Sequence, residues 1–161
     1  MEDNNKKFLN IETGIKTIVM KPSDKEDGEG EVSVKFNPTD TAFAEKIYDT
    51  FEALSDTEES YQERIDAAEG TGEIFKISAE LDQVMREKIN AIFDGEYVCG
   101  AIAGKTNMYA MAGGMPIWAN LILAIFDEME DTYSREQKLN SEKMKKYTAK
   151  YQNKAKSKYH N

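Results

Sequence analysis

The chain has 161 residues and a formal net charge of −9, which is enough length for one ordinary domain. An acidic chain of this kind is a poor general binder of nucleic acid and of anionic membranes. A single cysteine, Cys99, excludes an internal disulfide framework. A single histidine, His160, argues against histidine-based triads and multi-histidine metal sites. The composition therefore disfavours most familiar enzyme classes and predicts no cofactor and no bound metal.

The first residues are polar and carry no apolar run that resembles a signal peptide. The most apolar stretch, residues 115–126, is much shorter than the roughly 20 residues needed to span a bilayer. The sequence therefore predicts a protein without membrane association, located in the cytoplasm.

A β-hairpin is predicted over residues 15–36. Apolar and polar side chains alternate with period two in the segments around Thr17–Val19 and Val32–Phe36, and many of them are β-branched. The residues between them, 22–30, are polar and rich in glycine, which is typical of a loop.

The rest of the chain predicts about five helices. Asn37 and Pro38 resemble an N-cap followed by a first helical residue, and the polar run 55–58 resembles a second helix start. A third helix, with an apolar stripe over 74–92, is predicted to end at Asp94 and Gly95. A short helix ends at Gly104, and a fifth helix over 117–131 is expected to be central. The predicted fold is therefore mainly helical α+β, an N-terminal β-hairpin followed by a bundle of about five helices.

Charge divides the chain in two. Residues 138–161 contain eight lysines and one glutamate, a net charge of +7, so that residues 1–137 carry −16. This pattern predicts one acidic domain over 1–137 and a basic tail over 138–161 that is helical or flexible. Such a tail is either a solvated helix or a segment for interaction, and opposite charges on one chain favour head-to-tail self-association.

Two short segments resemble catalytic or metal-binding loops and fail on one residue each. Residues 100–106 end in Gly-Lys-Thr as a P-loop does, but Cys99 stands where that motif requires glycine or alanine. The loop 22–30 would place Lys25 among the ligands of a calcium ion. Gly104 is therefore interpreted as a helix terminator, and Cys99 as a small core residue.

A methionine cluster is the most informative feature. Met108, Met111 and Met115 are spaced by three and four residues, as in a core helix and turn, but methionine is also over-used on surfaces that accept varied partners. The apolar residues after them cover more than one helix face, so a partner or further packing must cover the remainder. The predicted partner-binding residues are Met108, Met111, Met115, Ile117, Leu123, Phe126, Tyr147 and Tyr151.

Several strings together resemble a known family. They are VKFNPTD at 34–40 with FAEKIY at 43–48, MYAMAGGMPIWAN at 108–120, SREQ at 134–137 and MKKYTAKY at 144–151. Over residues 34–151 the chain resembles small phage and prophage proteins of Gram-positive bacteria from the tail-assembly region of siphophage genomes. Members resemble tail assembly chaperones, non-enzymatic proteins that coat the tape measure protein before the tail tube polymerises. The resemblance implies no catalytic residues, a tape measure or other tail protein as partner, and the cytoplasm of the infected or lysogenic host as location.

Two other function classes remain open at this point. An acidic phage-encoded inhibitor or decoy could bind a host defence protein at a basic site, but it would need many carboxylates on one continuous surface. A small enzyme is the third class, which the single histidine and the failed P-loop disfavour.

Overall fold

A computed structural model describes residues 5–159, and for residues 147, 148 and 150–159 it describes the backbone alone. The elements in chain order are β1 (Lys16–Met20), β2 (Val32–Phe36), α1 (Thr41–Ala67), α2 (Thr71–Ile92), α3 (Val98–Ala103), β3 (Met111–Ala112), β4 (Met115–Pro116) and α4 (Ile117–Tyr159). The fold is mostly helical with an N-terminal hairpin, which confirms the predicted mainly-α class.

The predicted hairpin is confirmed. Strands β1 and β2 pair antiparallel, with Ile18 opposite Val34 and Met20 opposite Val32. Val34 and Phe36 are buried, and Ile18 and Met20 pack against the same core from the neighbouring strand. The alternation of side chains along a strand thus places one face of the hairpin on the helices and the other in solvent.

The predicted number of helices is wrong. Over the described residues there are four, because the first two predicted helices are one continuous helix, α1. No glycine or proline interrupts residues 41–67, and the hydroxyl of Thr57 donates to the carbonyl of Ala53, so the polar run continues the helix. Ile47 and Leu54 are fully buried on its apolar face. In the middle of this helix Ser55 and Asp56 are exposed and Thr57 and Glu58 are half-buried, so these polar residues do not mark a new start.

The start of α1 also differs from the prediction. The N-cap is Asp40, whose carboxylate accepts from the Ala42 backbone N–H at 3.0 Å. Asn37, the predicted cap, accepts from the Thr39 backbone N–H at 2.8 Å and donates to the Thr13 carbonyl. Asn37 therefore holds a turn before the helix and ties the segment preceding β1 to it.

Helices α1 and α2 form an antiparallel pair joined by a short loop. The apolar stripe of α2 is buried as its periodicity predicts, and Arg64 of α1 pairs with Glu80 of α2 at 3.1 Å. Asp94 and Gly95, at φ +56° and +87°, follow the end of α2 as predicted. The buried side chains of α2 are Ile77, Leu81, Met85, Ile89 and Ile92.

Helix α4 has two different halves. Its first four turns contribute to the core, and Thr132 is the last buried residue among those whose side chains the structure describes. From Tyr133 to Lys146 every residue is exposed, although the helix continues to Tyr159. At 1.5 Å per residue the segment after Thr132 extends about 40 Å. Tyr147 and Tyr151 belong to this helix, and their side chains lie outside the described residues.

In the part of the chain that the structure describes, no helix combines the length and the apolarity needed to cross a membrane.

Candidate partner-binding surface

Strands β3 and β4 form a small hairpin that we call the methionine turn, residues 107–116. Gly113 and Gly114 join the strands at φ +63° and +90°, a backbone region that glycine enters without strain. The tight turn leaves the side chains of Met111 and Met115 67% and 39% exposed. Two flexible apolar side chains are thus presented to solvent on a well-defined backbone.

Met108 behaves differently from the other two methionines. Its side chain is fully buried, its backbone N–H donates to Asp82 at 2.7 Å, and its carbonyl accepts from the Trp118 N–H at 2.9 Å. A side chain with no exposed surface cannot contact a partner of the folded domain. The structure therefore places Met108 in the core, whereas Met111 and Met115 lie on the surface.

An ion pair on α2 holds the methionine turn in place. The carboxylate of Asp82 bonds Nε of Arg86 at 2.9 Å with one oxygen and the Met108 N–H with the other. Nη2 of Arg86 donates to the carbonyl of Thr106 at 2.7 Å. Both charged side chains are less than one fifth exposed. The spacing of four residues between Asp82 and Arg86 is visible in the sequence, but their contacts to the turn are not.

The other predicted residues of α4 lie in three environments. Leu123 is 37% exposed and faces solvent. Phe126 is half-buried, with its ring centroid 6.5 Å from that of Phe51 on α1. Ile117 is half-buried between the core and a groove described next. Packing within the domain therefore covers Phe126 in part and leaves Leu123 uncovered.

A largely apolar groove of about 670 Å³, which we call the β1–α4 groove, separates β1 from the first half of α4. One wall is formed by β1 and the segment after it. The other wall is one face of α4, whose lining residues follow each other mostly at intervals of three or four. Among its lining residues are Ile18 and Met20 from β1, Leu121 and Ala124 from α4, and the acidic residues Asp24 and Glu128.

Helix α1 carries what we call the acidic stripe. The spacing of its members alternates between four and three residues, so they share one helix face about 30 Å long. The two basic residues of α1, Lys46 and Arg64, pair with Asp94 and Glu80, which lie outside this helix. Like charges four residues apart destabilise a helix, so helix stability does not explain the stripe. Its members, all exposed, are Glu45, Asp49, Glu52, Asp56, Glu59, Glu63 and Asp66.

Comparisons with family models, with curated proteins and with solved structures find no match to this chain. Among the described residues, no three histidine, cysteine or carboxylate side chains come together as they would around a metal ion. The molecule offers three surfaces with a distinct chemistry, namely the methionine turn, the β1–α4 groove and the acidic stripe.

Cys99 is fully buried, as its apolar surroundings in the sequence predict. Burial raises the pKa of its thiol to about 12, with a smaller lowering by the Arg86 charge and a raising contribution from Asp82. Only the thiolate is a nucleophile, so we expect the folded protein at pH 8 to leave a colorimetric thiol reagent unreacted. The same sample unfolded in guanidinium should release one equivalent. Rapid stoichiometric labelling of the native protein would contradict this burial.

Proposed function

We propose that the protein is a non-enzymatic tail assembly chaperone of a siphophage or prophage. In this proposal it binds the tape measure protein, or another long helical tail protein, in the cytoplasm of the infected or lysogenic host. The observation that carries the proposal is the methionine turn, in which Met111 and Met115 are exposed on an anchored hairpin. A chaperone that coats successive segments of one long client must accept different apolar surfaces at the same site.

The chemistry of this surface supports that role. Methionine has an unbranched, polarisable side chain that adapts to partners of varied shape. The rigid backbone beneath it limits the entropy lost on binding, because only the side chains have to be ordered. The net charge of −9 favours solubility of a complex that covers an aggregation-prone client. The exposed Leu123 adds a further apolar side chain on α4.

The test pairs stability with capture. In the double variant Met111→Gln, Met115→Gln, we expect the melting temperature to change by no more than about 2 °C, because surface substitutions cost little. We expect the amount of tail protein that co-purifies from phage-infected cells to fall about tenfold, in keeping with the loss of two interface anchors. Melting is followed by circular dichroism, and capture by quantitative mass spectrometry.

A matched control separates this site from general apolarity. Phe75 on α2 is 69% exposed, close to the 67% of Met111, and it lies outside the methionine turn. Phe75→Gln should therefore leave capture unchanged. A sharp fall in the melting temperature of the methionine variant would place Met111 and Met115 in the core. Unchanged melting together with unchanged capture would remove the turn as the client site.

The acidic stripe favours a second candidate function, an acidic inhibitor or decoy that occupies a basic site of a host defence protein. Seven exposed carboxylates along about 30 Å of one helix give a line of negative charge, as a nucleic-acid strand does. Such an inhibitor would bind through Coulomb attraction, and its binding would weaken with salt.

One experiment distinguishes the two functions. The variant Glu52→Gln, Asp56→Asn, Glu59→Gln neutralises the middle of the stripe with nearly isosteric side chains. If it loses its partner from infected cells while the methionine variant keeps it, the inhibitor function is supported. The opposite result, with a tail protein as the partner, supports the chaperone.

A further inference from the structure

Two features of the described chain have no partner within it. One is the distal part of α4, which is exposed at every position from Tyr133 to Lys146. Most of the stability of a helix in a protein comes from tertiary packing, so we expect another molecule to pack against this projecting helix. Its exposed side chains include Leu139 at 47% and Met144 at 54%. The other feature is the β1–α4 groove.

The chain cannot fill its own groove with this helix. Residues 117–128 of α4 form one wall of the groove, and the same helix continues without a break to Tyr159. For its distal part to fold back, α4 would have to break near the end of the core. A helix that enters the groove must therefore come from another molecule.

We propose that the β1–α4 groove receives the distal α4 of a second copy of this chain. The exchange is reciprocal, so two copies form a closed dimer with their α4 helices antiparallel. This inference is independent of the client and rests on the groove and the charge pattern.

Charge fixes the direction of the pairing. Residues 117–137 contain five carboxylates and one arginine, whereas residues 138–161 contain eight lysines and one glutamate. An antiparallel pair places the basic half of each helix beside the acidic half of the other, and a parallel pair in register places like charges together. Of the charged residues that line the groove, Asp24 and Glu128 are acidic and Lys21 is basic, so the lining is net negative where the basic helix would lie.

Apolar side chains fit the same arrangement. Met144, Tyr147 and Tyr151 are spaced by three and four residues in the sequence, a spacing that predicts one apolar face of a helix. Leu121 and Ala124 are among the groove residues that such a face would cover. Because each copy contributes both a groove and a helix, the antiparallel contact is two-fold symmetric and closes on itself. It therefore ends at two copies, unlike the head-to-tail chain expected from charge alone.

The first measurement is the mass of the intact protein in solution. Sedimentation equilibrium should give twice 18.3 kDa at micromolar concentration and low salt. The dissociation constant should rise with ionic strength, because exposed charges are screened. A monomer at all concentrations, or a mass that grows beyond two copies, would overturn the closed dimer.

The groove itself is tested by Ala124→Lys. Ala124 is exposed and helical, so lysine is compatible with the fold but places a bulky positive charge where the basic helix should dock. We expect the dimer dissociation constant to rise about tenfold or more, about 1.4 kcal/mol. Ala79→Lys is the matched control, since Ala79 is an exposed helical alanine of α2 outside the groove, and it should dimerise normally. Equal dimerisation of both variants would exclude the groove.

A mixing experiment tests whether the β1–α4 groove of one copy binds the distal α4 of the other copy. The variant Lys143→Glu, Lys145→Glu, Lys146→Glu should also dimerise more weakly, because its helix now repels the acidic half of a partner. Mixed with Ala124→Lys, it should form a heterodimer more readily than either variant dimerises alone. A monomeric mixture would contradict the pairing. Loss of dimerisation in the acidic-stripe variant but not in Ala124→Lys would instead place the basic helix on α1.

Discussion

Replacing Trp118 by alanine is expected to lower the free energy of unfolding by about 3–5 kcal/mol. The indole is 4% exposed and lies where α4 meets α1, with its ring centroid 5.4 Å from that of Phe51. Its Nε1–H donates to the carboxylate of Glu58 at 3.1 Å. Alanine removes both the apolar contacts and the hydrogen bond. The expected loss is a large part of the total free energy of unfolding of a small domain.

Trp118→Phe separates these two contributions. Phenylalanine keeps an aromatic ring against Phe51 but cannot donate to Glu58, so we expect a loss of about 1–2 kcal/mol. Trp118 is the only tryptophan of the chain, so unfolding in guanidinium is best followed by circular dichroism instead of fluorescence. A Trp118→Ala variant as stable as the parent would mean that α4 does not rest on α1.

The parts of the fold that could be predicted are those that local periodicity determines. The alternation in β2 and the apolar stripe of α2 identify buried faces, because a strand and a helix each repeat their burial with a fixed period. In β1 both faces carry apolar side chains, so the alternation there predicts a strand but not its buried face. Asp94 and Gly95 were identifiable because their backbone conformation favours short polar residues and glycine. These signals depend on neighbours in sequence alone.

The wrong predictions come from polar residues that are compatible with two structures, a helix cap and the polar side of a continuous helix. Ser, Asp and Thr at 55–57 resemble a cap, but in the folded chain they lie in a helix whose apolar face continues on the other side. Because residues 41–67 were predicted as two helices, the acidic stripe was not recognised. Its spacing becomes regular only over one continuous helix. The same ambiguity explains why Asn37 is the predicted N-cap of α1, whereas Asp40 is the cap in the structure.

The candidate site was harder to predict because its geometry depends on long-range contacts. The spacing of Met108, Met111 and Met115 cannot tell which side chain points inward. Which methionine is buried depends on the hydrogen bond from the Met108 backbone N–H to Asp82, 26 residues earlier in the chain, and on the turn at Gly113 and Gly114. No periodic pattern predicts a contact between residues so far apart in sequence.

Replacing Asp82 by alanine is therefore expected to affect both stability and the methionine turn. The substitution leaves the Met108 N–H and the Arg86 guanidinium without their carboxylate, in a region where both partners of the ion pair are less than one fifth exposed. We expect a loss of about 2–3 kcal/mol, since removing one member of a shielded pair leaves the other uncompensated. Chemical denaturation measures the loss, and amide hydrogen exchange at residues 106–112 measures the release of the turn.

The variants Asp82→Asn and Asp82→Ala, Arg86→Leu identify the cause. Asparagine retains an oxygen that can accept from the Met108 N–H, so the turn should stay protected while the ion pair is lost. The double variant removes the uncompensated guanidinium, so it should recover part of the stability but not the protection of the turn. If Asp82→Ala keeps both its stability and the slow exchange of residues 106–112, then α2 does not hold the methionine turn. Its other contacts would in that case hold it, such as the hydrogen bond from the Trp118 backbone N–H to the Met108 carbonyl at 2.9 Å.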